Sequence, residues 1–148
     1  MKIMYKMMAL CIFITYSLAT RAQVLTSTRQ NYFNKYSQTL PTPVTELDKA
    51  FATPEGAKVK INFADFSFNG IVTSSIKRFD NLYSVVVQAP DLNNTILTIS
   101  KMINPDKTIT YTGHILNQKY ADGFELRKDN SGNYAMNKIK IDTLIEDY

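Results

Sequence analysis

The sequence predicts a mainly β protein. About seven antiparallel strands form a meander, closing into a small sandwich or a partly closed barrel, with one short N-terminal helix. From Lys58 onward, runs of strand length alternate apolar with polar residues. Turn-forming residues separate those runs at regular intervals. A single short stretch, residues 42–51, carries apolar residues at helical spacing instead.

The chain begins with a basic start at Lys2 and Lys6, an apolar run from Met7 to Leu18, and small residues before Gln23. That order is the pattern of a secretory signal peptide over residues 1–22, with cleavage expected after Ala22. The run is too short for a membrane span, which needs about 20 apolar residues. Cys11 lies inside the run rather than at its end, which argues against a lipid-attachment cysteine. Residues 23–42 form a polar arm in which Tyr32, Phe33 and Tyr36 cluster, with a short helix expected around them. A single β-rich domain is expected over residues 43–148. It opens with a helix in which Thr42 caps, Pro43 takes the first position, and Val44, Leu47 and Phe51 form the buried stripe.

The first hairpin is expected to turn at Asn69-Gly70, because Asn-Gly suits a type I′ turn. That register pairs Phe68 with Ile71 and Phe63 with Ile76, and it makes the apolar side change near Ala64-Asp65. A bulge or bend is expected there. Later turns are expected at Asp80-Asn81, in the loop 90–94, at Asn104–Lys107, near Asp122-Gly123 and at Asp129–Gly132. Residues 142–148 are expected to end in a short turn that packs Leu144 and Ile145.

Charge and cysteine usage narrow the function. The whole chain carries 17 basic and 13 acidic residues. Removing Lys2, Lys6 and Arg21 with the leader leaves 14 basic residues, close to balance, and no long Lys/Arg run. A nucleic-acid footprint is therefore not expected. The sole cysteine also leaves with the leader, which excludes disulfides and cysteine-ligated metals from the exported chain.

His114 is the only histidine. Strand alternation places it with Thr108, Thr110 and Thr112, opposite a face formed by Ile109, Tyr111, Gly113 and Ile115. A lone imidazole beside threonines lacks the activated nucleophile and orienting group of a catalytic triad. Most of the aspartates fall at expected turns, where the local backbone accounts for them. No catalytic residue, cofactor or metal site is predicted. The candidate contact residues are Tyr32, Tyr36, His114, Tyr120 and Asp122. The alternative for the arm aromatics is burial against the domain. Asn93-Asn94-Thr95 fits the glycosylation acceptor pattern.

The chain holds "FSFNGIVTSSIKRFDNLYSVVVQ", "ITYTGHIL", "YADGFEL" and "GNYAMNKIKIDTLIED" in that order, and residues 66–145 carry the likeness that follows. This order resembles the β-rich N-terminal pro-region of some secreted bacterial zinc metallopeptidases. The chain has no His-Glu-x-x-His motif, so none of that family's catalytic residues has a counterpart. The resemblance implies a free-standing module that binds, shields or inhibits an exported protease. The expected function is accordingly a secreted, non-enzymatic domain acting by protein–protein contact. Its exposed edge strand would be either the terminal strand near Ala135–Ile141 or the first near Val59–Phe63. The alternative is a small-ligand or glycan-binding module of the periplasm or cell surface, with a pocket between the strand layers or at the loop ends around residues 90–94 and 120–122. The oligomeric state is not legible.

Overall fold

A computed structural model describes residues 29–141. The expected leader, residues 1–22, and the terminal turn with Leu144 and Ile145 lie outside the described residues.

The period-two alternation produces eight strands: β1 (Thr39–Pro41), β2 (Lys58–Phe63), β3 (Phe66–Phe79), β4 (Leu82–Ala89), β5 (Thr95–Ile103), β6 (Ile109–Leu116), β7 (Asp122–Lys128) and β8 (Tyr134–Lys140). They form one sheet in the order β1-β8-β7-β6-β5-β4-β3-β2. Neighbouring strands are antiparallel throughout, and the sheet curls into a half-barrel. The expected partly closed barrel is thus present, with one more strand than the seven expected.

Helix α1 (Val44–Ala52) packs on the inner face against β2 and β4. Its start differs from expectation. The Thr42 hydroxyl donates to the Leu40 carbonyl at 2.9 Å and does not cap the helix, and Pro43 occupies the N-cap. Leu47 and Ala50 are the buried helix residues, whereas Val44 is exposed.

The first hairpin turns elsewhere than expected. β2 and β3 meet across Ala64-Asp65, which pairs Phe63 with Phe66 and Ile61 with Phe68. The expected change of apolar side near Ala64-Asp65 is the chain reversal itself. Ala64 adopts φ 32° there, and Ser37 of the arm holds the turn by donating its hydroxyl to Asp65 Oδ2 at 2.9 Å. Asn69-Gly70 runs straight through β3. Gly70 is needed for close packing rather than reversal, since a Cβ there would lie 2.6 Å from Val87 Cγ1 and 2.7 Å from the Gln88 carbonyl oxygen. Irregularities between Val72 and Ser74 and between Lys77 and Phe79 bend the long β3.

The arm joins this core. Phe33 is fully buried and stacks edge-on against Phe124 at 5.2 Å and Phe66 at 6.1 Å. Arm residues then supply β1, which pairs with Ala135–Asn137 of β8. The terminal strand is consequently interior, between β7 and β1, and is not an open edge over that span.

Candidate functional site

The two borders of the sheet differ in what they offer. β1 is three residues long and ends in Pro41, which has no N–H to donate. β2 is twice as long and has no strand on its outer side among the described residues.

Strand parity identifies the free backbone groups of β2. In an antiparallel ladder, successive N–H groups point alternately to the partner and away from it. The Asn62 N–H points away, because it donates to Glu46 Oε2 at 2.8 Å. The Lys60 and Lys58 N–H groups share its direction, while Val59, Ile61 and Phe63 face β3. Glu46 on helix α1 therefore stoppers one end of the edge and leaves Lys58–Lys60 open. Lys49 holds that carboxylate in place at 2.5 Å. The Lys49 hydrogen bond and then the Asn62 backbone donor lower the Glu46 pKa, keeping the stopper charged.

The side chains of β2 also alternate. Val59, Ile61 and Phe63 are buried, and Lys58 and Lys60 are exposed on the outer face. Beside them lies a groove of about 550 Å³, whose further walls include Asn69, Ile71, Pro90 and Asp91. Neither lysine has an ion-pair partner among the described residues. This edge can extend the sheet by one strand and hold side chains of that strand in the groove.

The five sequence-predicted contact residues do not form one site. Tyr32 stacks on Tyr120 with ring centroids 4.4 Å apart. Asp122 is 3% exposed, and its two oxygens accept the backbone N–H groups of Tyr32 at 2.7 Å and Phe33 at 2.9 Å. These three residues lock the arm onto the sheet. Asp122-Gly123 belongs to β7, where it pairs with Lys140 and Ile139, and not to a turn. Tyr36 packs on Phe66 at 4.6 Å.

His114 stands apart on the outer face. It is level with Thr98 of β5 and Glu125 of β7, in a row of polar side chains. The Glu125 carboxylate is taken by Arg127, and the His114 imidazole makes no hydrogen bond among the described residues. Beside it is a depression of about 520 Å³ lined by Asn94, Ile96, His114, Leu116, Gln118 and Lys119. A further hollow of about 490 Å³ lies on the inner face beyond the helix, between Phe51, Tyr83, Lys101 and Ile103.

The sequence named the first strand as one of two possible edges but missed the roles of Lys58, Lys60 and Glu46. The lysines were legible as exposed partners of Val59 and Ile61. The Glu46 contact depends on how the helix docks and has no local signal. Among the described residues no three His, Cys, Asp or Glu side chains converge as a metal site, and no helix is long and apolar enough to cross a membrane. Comparisons with protein-family models, with curated proteins and with solved structures found no match for this chain.

Proposed function

We propose that this protein is an exported, non-enzymatic β-domain that works by protein–protein contact, taking an extended segment of a partner onto the open edge of β2. The observation that carries this reading is the contrast between the borders: β1 is short and ends in proline, whereas β2 leaves backbone donors along Lys58–Lys60 without a strand partner among the described residues. Export rests on the sequence, with its Lys2/Lys6 start and the apolar run Met7–Leu18. An exported protease is the partner class that the pro-region resemblance implies.

The test is affinity capture of exported proteins from the native host, run in parallel with the wild-type protein and a Lys60→Pro variant. Proline removes one outward donor while leaving the bonds to β3 intact. A partner retained by the wild type and lost by the variant is the expected result. Equal recovery by both would sink the edge mechanism.

The depression beside His114 supports a second reading, a small polar or glycan ligand. Asn94, Gln118 and Lys119 line it together with the apolar Ile96 and Leu116, and the side chains of those three polar residues make no hydrogen bond or ion pair among the described residues. Titration with oligosaccharides, followed by chemical-shift changes at His114 and Asn94, checks it. Silence at both positions would remove this reading.

A further inference from the structure

Resting on the β2-edge reading, we infer that the segment accepted there is acidic, with carboxylates at two alternate positions opposite Lys58 and Lys60. A strand added beside β2 continues its pleat, so every second side chain of the newcomer lies on the outer face. The outer-face positions of β2 along the open stretch are Lys58 and Lys60. Directly opposite residues in a strand pair have Cβ atoms about 4.5–5.5 Å apart, within reach of a charge pair. Asp91, across the groove, is the one acidic side chain among its lining residues. It stands in the loop after β4, beyond β3, and does not lie on the strand that the newcomer would pair with.

The same lysines discriminate against one competitor, a second copy of this chain. Two β2 edges meeting antiparallel would set Lys58 and Lys60 against each other's counterparts, and like charges directly opposite are destabilising. Lysines on an edge thus reject self-pairing while they favour a carboxylate-bearing strand. Glu46 adds a polarity to the site. An acidic segment that ran past Lys60 towards Asn62 would meet its carboxylate, so the pairing stretch ends there.

The test uses three short synthetic peptides that alternate Val with Glu, with Ser or with Lys. Each is titrated into the full exported protein while the Lys58 and Lys60 amide signals are followed. The Glu peptide is expected to bind about three- to tenfold more tightly than the Ser peptide, a difference of about 0.7–1.4 kcal/mol that two exposed charge pairs can supply. The Lys peptide is expected to bind most weakly. Raised salt should narrow the gap. A Lys58→Glu/Lys60→Glu double variant should invert the order, and Lys60→Pro should lose all three peptides.

Equal binding of the three peptides would overturn the acidic preference and leave the edge reading standing. Binding that survives Lys60→Pro, or no binding of any peptide, would overturn both. Melting curves of the variants guard against misfolding, and a variant that unfolds is replaced by Lys60→N-methyl-lysine made by ligation, which removes the same donor and keeps the charge.

Discussion

Asp122 joins the arm to the sheet through two charge-assisted hydrogen bonds to backbone N–H groups. Asp122→Ala leaves both donors without a partner, Phe33 N–H in a buried place and Tyr32 N–H in a half-buried one. It should destabilise the protein by about 2–4 kcal/mol, measured by chemical denaturation. A change below about 0.5 kcal/mol would show that the arm is held by Phe33 alone. Nothing local in the sequence marks Asp122 as buried. Its neighbour Gly123 makes the pair look like a turn, and the partners that satisfy the carboxylate lie about 90 residues earlier. Gly113 was legible as an inward residue but its tightness was not. A Cβ there would lie 2.5 Å from the Thr98 carbonyl oxygen, a consequence of how closely β5 and β6 approach. His114 sits on the polar outer face, as alternation along β6 requires.

Among elements, the β2–β3 hairpin shows why turn chemistry alone misplaced a reversal. Asn69-Gly70 is a strong local signal, yet Phe63, Phe66 and Phe68 are all buried only if the chain turns at Ala64-Asp65. Core burial of large aromatic rings outweighs the preference of one dipeptide. Parity in this hairpin gives a sharp pair of predictions. Lys60→Pro should leave the unfolding free energy within about 1 kcal/mol of wild type, because the lost donor faces outward. Ile61→Pro removes a ladder donor and a fully buried side chain, and should cost about 3 kcal/mol or more. Similar effects at both positions would refute the assigned parity.

The helix is tied to the sheet through Asp48, which accepts from Lys101 at 2.8 Å and from the Tyr111 hydroxyl at 2.7 Å. Burial pushes the Asp48 carboxyl up, but the Lys101 and Tyr111 hydrogen bonds outweigh it and leave the pKa below its ordinary value. Thr108 lowers Asp106 through its hydroxyl and backbone N–H, and the Asn133 backbone donor does so for Asp129. A carboxylate with a lowered folded pKa contributes its stability fully above its unfolded value, and that contribution fades as pH falls through the folded one. Melting temperature should therefore decline as pH drops below about 4. Asp48→Asn should make that decline shallower. The Asp48–Lys101 pair is partly open to solvent, so its loss at neutral pH should cost about 1 kcal/mol or less. A variant with an unchanged acid limb would show that Asp48 does not contribute to it.

At the scale of the molecule, the meander was legible because its pairings are sequential. β3 to β8 each pair with the preceding strand, so alternation and turn residues were enough to order them. β1 was not legible. Its three residues carry no periodic pattern, and it pairs with β8, about 100 residues away in the chain. That missed strand decides which border is open, because it covers the start of β8 and leaves β2 as the longer free edge among the described residues. The functional reading therefore turns on topology more than on any motif. Its most direct test is amide hydrogen exchange at single residues, read with and without the Glu–Val peptide. Lys58 and Lys60 are expected to exchange rapidly in the free protein while Val59 and Ile61 are protected, and the peptide is expected to slow exchange at both lysines. Prior protection of Lys58 and Lys60, or peptide binding that leaves their exchange unchanged, would contradict that reading.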